Sequence, residues 1–325
     1  MLTHVEYQGI PRQDRTARRD KKSPHSEPDV ARRMVEIREA RRVARRASTA
    51  TQPGGAPADT SITALAVHDA LLRRASPAEK LAQVARLSRT VDQLSVAGLR
   101  QRHPTADGEM IAYRRAELRL GRELAARVYG ARDEVPNELH DPVAIALDIA
   151  ARLDQLRVEW LIGGSLASSV HGEPRATQDV DMVVALHRRH VKPLWEALRR
   201  DYYVDVDEMR SAVRTLASFN AIHFASAIKV DFFVAGADPF ETERLATRQR
   251  IETPGGVIYV DTAENTLLRK LEWYRRGGET SERQWRDVQA IARIQGDRLD
   301  RDRLRLWADR LGVMDLLQRI LVQRD

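Results

Sequence analysis

Three aspartates are the residues of this sequence whose type and spacing could hold a metal ion. Asp179 and Asp181 are two positions apart in the apolar stretch 179–184. Alternate residues of a strand point to one face, so both carboxylates should project to the same side and favour a divalent cation. Asp231 lies alone in the apolar run 228–234. Burying a lone carboxylate is costly unless it binds metal or pairs, so Asp231 is the predicted third ligand; the alternative is an edge-strand residue that faces water.

A glycine-rich turn precedes these aspartates. Gly163, Gly164 and Ser165 follow the apolar residues 160–162, where a strand should end and a helix begin. Two glycines let the backbone approach a ligand, and Ser165 adds a hydroxyl beside free N–H groups that favour phosphate. We therefore predict a triphosphate cradle with Arg175 as its cationic contact. Two Mg²⁺ ions, which Mn²⁺ could replace, would bind between the cradle and the aspartates.

The combined pattern resembles a known family. The segment 163–181 reads Gly-Gly-Ser-Leu-Ala, then His-Gly-Glu-Pro-Arg-Ala-Thr-Gln-Asp-Val-Asp, and it is similar to the DNA polymerase β-type minimal nucleotidyltransferase superfamily. Within that superfamily it is closest to the bacterial AbiEii-like, type IV toxins, for which Gly-x-Pro-Arg-x-Thr before the first aspartate is typical. Lys270-Leu271 and Arg286-Asp287 resemble later motifs of the same family. The resemblance covers about residues 145–325.

This resemblance implies a fold and an activity. The fold would be α/β (α+β), with a small mixed sheet flanked by helices, C-terminal helices from about residue 262, and a separate N-terminal helical module. The activity would be Mg²⁺-dependent transfer of a nucleoside monophosphate from an NTP to a hydroxyl acceptor, with release of pyrophosphate. The acceptor could be RNA such as tRNA, a protein hydroxyl or a small molecule.

The resemblance also implies roles for individual residues. The catalytic and metal-binding residues would be Asp179, Asp181 and Asp231. The nucleotide-binding residues would be Gly163, Gly164, Ser165, Arg175, Thr177, Lys270 and Asp287. The alternative for Lys270 and Asp287 is that of ordinary exposed helix charges. A biological role as the toxin of a toxin–antitoxin or phage-defence system follows from the same likeness.

Other readings of the sequence compete with this one. A catalytically silent binding or regulatory protein with the same fold is the main alternative, and the intact set of three carboxylates argues against it. Asp205 and Asp207 repeat the Asp-x-Asp spacing, but no Gly-Gly-Ser precedes them, so we predict a strand end or loop there. His171 has no partner at ligand spacing, which favours a structural role over substrate contact.

Periodicity predicts the elements around the site. We expect helices at about 142–156 and 188–200 and one beginning at Ser165, and strands at 157–162, 179–186, 221–226, 228–234 and 257–260. These elements belong to a predicted nucleotidyltransferase domain over residues 142–325, preceded by a polar linker at 131–141.

Residues 61–130 are predicted to form a short helix followed by a helical hairpin. Ser76, Pro77 and Glu79 form a capping-box signal, while Pro104 and Gly130 should end the two hairpin helices. Apolar residues recur at helical spacing as a seam: Leu81, Val84, Leu87, Val91 and Leu94. Such a seam predicts an interaction module, for self-association or as an antitoxin-like partner of the enzyme.

Charge is unevenly distributed along the 325 residues. The chain holds 54 Lys and Arg against 47 Asp and Glu, a net charge of +7. Residues 1–50 account for +6 of this, and we predict a disordered basic tail over residues 1–60, with an RNA-attracting arm as the alternative. Cysteine is absent, which excludes disulfides and thiolate zinc sites. With no long apolar run, no membrane partner is expected and a cytoplasmic location is predicted.

Overall fold

The computed structural model describes residues 61–130 and 140–322. The predicted basic tail, residues 1–60, and nearly all of the predicted linker, residues 131–141, lie outside the described residues.

Four helices make up the N-terminal part of the described chain. They are α1 (Ile62–Arg74), α2 (Pro77–Arg102), α3 (Gly108–Leu120) and α4 (Arg122–Tyr129). The capping box is confirmed: the Ser76 side chain accepts a hydrogen bond from the Glu79 N–H, and the Ser76 N–H donates to the Glu79 carboxylate. The predicted second hairpin helix is in fact two helices, because Gly121 has a φ of +78° between them.

A seven-stranded mixed sheet forms the centre of the molecule. Its strands are β1 (Trp160–Ile162), β2 (Asp179–Val184), β3 (Tyr202–Val204), β4 (Ser218–His223), β5 (Lys229–Val234), β6 (Gln249–Thr253) and β7 (Gly256–Val260), in the order β3-β4-β5-β2-β1-β7-β6. The β2–β5 and β1–β7 pairs are parallel and the others antiparallel. The predicted mixed α/β architecture is thereby confirmed.

Further helices flank this sheet and complete the C-terminal region. They are α5 (Pro142–Gln155), α6 (Gly164–His171), α7 (Arg188–Leu198), α8 (Val206–Thr215), α9 (Pro239–Thr247), α10 (Ala263–Arg276), α11 (Glu282–Gln295), α12 (Arg301–Arg310) and α13 (Met314–Val322).

The two faces of the sheet have different roles. On one face, Val180 and Met182 of β2 and Val230 and Phe232 of β5 are fully buried in the main hydrophobic cluster, together with residues of α5. The intervening residues of the same strands, including the aspartates, face the other way. A second hydrophobic cluster, which includes Leu267, contains residues of the five helices α9, α10, α11, α12 and α13. The alternation predicted for 179–184 therefore places the carboxylates away from the core.

The N-terminal helices pack onto the sheet region and share its core. Leu81 and Val84 of α2 belong to the same hydrophobic cluster as the strands. Lys80 Nζ donates to the carbonyl oxygens of Val170 and Gly172, at the end of α6. The module expected to be separate is thus in contact with the sheet region through apolar and polar groups, while its status as a domain of its own stays a prediction.

The predicted apolar seam of α2 is buried within this chain only over its first half, and its role in association stays a prediction. Leu81 and Val84 are buried, but Leu87, Val91 and Leu94 are 37%, 42% and 67% exposed. The buried face continues instead through polar residues. Ser88 accepts a hydrogen bond from the Thr177 N–H, and Asp92 pairs with arginines of α3. A hydrophobicity pattern alone could not place these polar residues inside.

Some strand boundaries also differ from prediction. The strand predicted at 221–226 begins earlier, at Ser218, and ends at His223, while β3 and β6 were not anticipated. The Asp205 carboxylate caps the N-terminus of α8 directly after β3, which agrees with the predicted strand end.

Within residues 61–130 and 140–322, none of the helices combines the length and apolar content needed to span a bilayer.

Candidate functional site

The sheet brings the three predicted carboxylates to one place. In the parallel β2–β5 pair, Asp181 stands opposite Asp231, and Asp179 stands opposite Lys229. All three aspartates line a cavity of about 880 Å³ that also contains Gly164 and Arg175. Carboxylate oxygens on neighbouring strands, without thiolate or imidazole, are a donor set suited to Mg²⁺. The residues present therefore fit the predicted metal.

Asp231 has an ion-pair partner that the sequence did not reveal. Lys229 Nζ lies 2.8 Å from Asp231 Oδ2. Burial of Lys229 acts to lower its pKa, but its hydrogen bond to Asp231 and the charges of the three aspartates together outweigh burial and raise the pKa of Lys229 above its usual value. The Asp231 side chain is 22% exposed, so it is neither an edge-strand residue facing water nor buried alone.

Asp181 is the most enclosed of the three carboxylates. The backbone N–H of Ser165 donates to Asp181 Oδ2 at 3.4 Å, and the N–H of Gly163 donates to the Asp181 carbonyl oxygen at 3.0 Å. Burial, reinforced by the nearby Asp231 charge, raises the pKa of the Asp181 carboxyl above its ordinary value. The glycine turn and strand β2 are therefore joined directly.

Gly164 occupies a position that only glycine can fill. Its φ is +54°, in the left-handed region. A Cβ at this position would stand 1.7 Å from Asp181 Oδ2. The close approach of the turn to the carboxylate thus requires the second glycine, and α6 begins at this residue with its first N–H groups beside the cavity.

Arg175, Asp287 and Lys270 form one charged network at the cradle. Arg175 donates to both Asp287 oxygens at 3.0 and 2.9 Å and to Ser165 Oγ at 2.8 Å. Lys270 Nζ lies 2.7 Å from Asp287 Oδ2 and donates to Gln284 Oε1 at 2.9 Å. Asp287 contacts both cations that were predicted to bind phosphates, so it can orient them.

Burial and pairing act in opposite directions within this network. Burial acts to raise the pKa of Asp287, but its hydrogen bonds to Arg175 and the charge of Lys270 outweigh burial and lower that pKa. Burial lowers the pKa of Lys270, and Asp287 offsets only part of this. Lys270 is 5% exposed and Asp287 8%. Neither is the ordinary exposed helix charge that was the alternative reading.

Two predicted nucleotide-binding residues do not line the cavity: Thr177 and Asp287. The Thr177 N–H donates to Ser88 of α2, and its hydroxyl exchanges hydrogen bonds with the backbone of Asp179. Thr177 therefore connects α2 to the start of β2. Direct contact between Thr177 and a nucleotide stays a prediction.

His171 lies behind the cradle. Its ring is buried, and Nε2 donates to the carbonyl oxygen of Asp261 at 2.6 Å. Burial lowers the pKa of His171 below its usual value. This placement agrees with the structural role favoured by the sequence.

The cavity contains charged residues that sequence reasoning did not single out. Arg244 bridges Asp261 and Glu241, with donor–acceptor distances of 2.7 to 3.0 Å, and Arg269 pairs with Glu241 and Glu272. These residues are distant in sequence and surrounded by many similar charges, so no motif marks them. Their helices, α9 and α10, form part of the cavity wall, and Arg244 lies close to the glycine turn at Gly163.

A second cluster of ligand-type side chains lies outside this cavity. Within the described ranges, His68, Asp69 and Glu173 are the one set of three whose ligand atoms all lie within 4.8 Å of one another, so the three aspartates are more widely spaced than that. Arg293 already pairs with both Asp69 and Glu173. The cluster is therefore part of an ion-pair network that connects α1, α11 and the residues after α6.

Comparisons with known proteins give limited likeness. No protein-family model matches the chain, and no curated protein matches it in sequence. Among solved structures, an antigenic nucleotidyltransferase-like protein from Paracoccidioides brasiliensis shares 20% identity at a TM-score of 0.35, over 46% of this chain and 73% of that one. ANT(2″)-Ia in complex with adenylyl-2″-tobramycin shares 13% identity at a TM-score of 0.36, over 52% and 96%. Sequence identities and TM-scores this low do not assign a function to this chain.

Proposed function

We propose that the protein is a Mg²⁺-dependent nucleotidyltransferase that moves a nucleoside monophosphate from an NTP to a hydroxyl acceptor. The observation that carries this is the register of β2 and β5. It pairs Asp181 with Asp231 directly beside the Gly164–Ser165 turn, with the Arg175–Asp287–Lys270 network on the other side of that turn. Metal-binding carboxylates and a phosphate-binding turn in one cavity are the requirements of phosphoryl transfer.

Each residue has a role in this chemistry. Asp179, Asp181 and Asp231 would hold Mg²⁺, which when bound stabilises charge on the transferred phosphoryl group. The backbone of Gly164 and Ser165 would bind the β and γ phosphates, and Arg175 and Lys270 would neutralise them. The acceptor oxygen forms its new bond to the α phosphorus as the bond to the β-phosphate oxygen breaks, and pyrophosphate leaves. Asp231, on the strand farther from the cradle, would take the proton of the attacking hydroxyl.

The acceptor and the biological role are proposed from the motif resemblance. RNA such as tRNA and a protein hydroxyl are the acceptors that the AbiEii-like motifs suggest, with a toxin or phage-defence role. The contact of α2 with the end of α6 through Lys80 fits a regulatory function for the N-terminal helices.

One observation favours the silent alternative, a binding or regulatory protein. Lys229 pairs with Asp231 at 2.8 Å, which neutralises one of the carboxylates needed for metal. For catalysis, this lysine must exchange its partner when Mg²⁺ binds. A silent protein would keep the pair and bind nucleotide without turnover.

Transfer of labelled nucleotide tests the proposal. The purified protein is incubated with Mg²⁺ and each α-labelled NTP, with total tRNA, lysate protein or small-molecule hydroxyl acceptors. We expect one acceptor class to become labelled, and Asp181→Asn to abolish labelling. The catalytic proposal is wrong if wild type labels nothing while still binding NTP, or if Asp181→Asn labels as well as wild type.

A further inference from the structure

An apolar shelf interrupts the charged lining of the cavity. It consists of Val183, Phe233 and Trp273. The Trp273 side chain is 49% exposed, although an indole normally contributes its large surface to packing. A half-exposed tryptophan in a cavity that also contains many charged side chains offers a surface for an apolar, planar ligand.

The shelf is held rigidly by the sheet. Val183 and Phe233 stand opposite each other in the β2–β5 pair, and Val183 packs on Leu161 and Leu245. Trp273 lies with its ring centroid 6.2 Å from that of Phe233, at an interplanar angle of 62°. Edge-to-face packing of this kind fixes the orientation of the indole ring.

The shelf lies at a defined distance from the reacting groups. Val183 and Phe233 follow Asp181 and Asp231 by two residues on their strands, a step of about 6.6 Å along the sheet. On α10, Trp273 follows Lys270 by three residues, which is less than one helical turn of about 5.4 Å. The shelf therefore lies next to both the carboxylates and Lys270.

The charges around the shelf are already paired. Arg276 lies over the Trp273 ring, 5.6 Å from its centroid, and is hydrogen-bonded to Glu272. Glu272 also pairs with Arg269. An ionic ligand would have to break these pairs, whereas an uncharged aromatic ring could stack on the open face of the indole.

From these contacts we propose that Trp273 and Phe233 form the subsite for the nucleobase of the NTP. Trp273 stacks on the base while the triphosphate lies at Ser165, Arg175 and Lys270. This inference rests on the proposed function, because it places the nucleoside half of the same substrate. It makes Trp273 the main determinant of affinity for the base rather than for the phosphates.

Separating base from phosphate tests this assignment. Calorimetry measures the Kd of a nucleoside triphosphate and of inorganic tripolyphosphate, each with Mg²⁺, for wild type and Trp273→Ala. Base–aromatic stacking predicts that Trp273→Ala weakens NTP binding by about five- to a hundred-fold and leaves tripolyphosphate binding unchanged. Trp273→Phe keeps a stacking ring and should restore most of the NTP affinity.

Leu306 supplies a matched control for the Trp273 substitution. Leu306→Ala removes a large apolar side chain that is 51% exposed and does not line the cavity, so it should change neither Kd. The base subsite is overturned if Trp273→Ala weakens both ligands equally or neither. If wild type binds neither ligand, the proposed function and the subsite both fall. Tight tripolyphosphate binding with no gain from the nucleoside would overturn the subsite alone.

Discussion

Gly164 has a backbone conformation that favours glycine, and it lies directly against Asp181, a proposed metal ligand. Its left-handed φ of +54° and the 1.7 Å approach of a hypothetical Cβ to Asp181 leave no space for a side chain. Gly164→Ala should therefore lower the free energy of unfolding by about 1–2 kcal/mol from backbone strain alone, and it should also weaken NTP binding by displacing Asp181. Urea unfolding and calorimetry measure the two effects.

Gly163 supplies the matched control for this substitution. Its φ is −109°, and a Cβ there would meet only Arg244, at 3.7 Å. Gly163→Ala should thus be much less damaging than Gly164→Ala in both measurements. Equal effects of the two variants would show that the close approach at Gly164 is not what the turn requires.

Asp287 is the residue that joins the two phosphate-directed cations. Asp287→Asn leaves Lys270 buried without its countercharge, and breaking one side of a buried pair costs about 3–5 kcal/mol. We expect Asp287→Asn to lower the free energy of unfolding by an amount that approaches this range. It should also weaken NTP binding, because Arg175 and Lys270 lose the carboxylate that both of them contact. Asp315→Asn removes an exposed pair with Arg275 and should leave both unchanged. Wild-type behaviour of Asp287→Asn in denaturation and binding would contradict this role.

Local spacing in the sequence was enough to predict where some of the candidate site residues lie, while their roles stay predictions. The Asp-x-Asp pair and the glycine turn could be placed because strand alternation and helix starts are local rules. The Lys229–Asp231 ion pair was not foreseen, although the two residues share one strand, because the direction of a lysine depends on neighbouring strands. The arginine network around Glu241 depends wholly on tertiary contacts between distant segments.

Among the elements, α2 offers a direct test of how the N-terminal helices are attached. Leu81 is 1% exposed within the main core, and Leu94 of the same helix is 67% exposed. Leu81→Ala should cost about 2–5 kcal/mol of unfolding free energy, whereas Leu94→Ala should change it by less than about 0.5 kcal/mol. Equal costs, or a Leu81→Ala transition that melts α2 alone, would contradict a core shared with the sheet.

Lys80 connects α2 to the C-terminal end of the cradle helix α6 and introduces a pH dependence. Burial, aided by the charge of Arg298, lowers the pKa of Lys80 from 10.5 to about 8. Between these values the unfolded chain binds more protons than the folded one, so stability should rise with pH across this window. Below pH 8 both states are protonated and the contribution is constant.

Comparison of wild type with Lys80→Met isolates this effect. The difference in unfolding free energy between the two should shift in favour of wild type as pH rises from 8 to about 10.5. Lys192→Met, which removes an exposed lysine, controls for the change in net charge. A difference that stays constant with pH would mean that Lys80 is not held in the buried position.

Elements with strong local signals were predictable, and those defined by tertiary contacts were not. The capping box at Ser76 and the long helices follow from local sequence. The short strands β3 and β6 are stabilised by pairing with β4 and β7, and their few residues carry little periodicity. The burial of Ser88 and Asp92 on the inner face of α2 was not predicted, because each is paired with a residue of another element of the fold.

The molecule as a whole assembles one cavity from distant parts of the chain. The sheet provides the carboxylates and α6 the cradle. Helix α10 provides Lys270, α11 provides its partner Asp287, and α2 makes contacts behind the cradle. In the proposed function, the carboxylates and the cradle act as a single Mg²⁺–NTP site. If so, metal and nucleotide must bind cooperatively.

Calorimetric titration of NTP with and without Mg²⁺ tests this claim most directly. We predict that Mg²⁺ tightens NTP binding to wild type, and that Asp181→Asn and Asp231→Asn each remove the tightening. Asp207→Asn, in the second Asp-x-Asp pair outside the cavity, should keep it. An NTP affinity that is independent of Mg²⁺, or Asp181→Asn and Asp231→Asn variants that respond to Mg²⁺ as wild type does, would contradict the account.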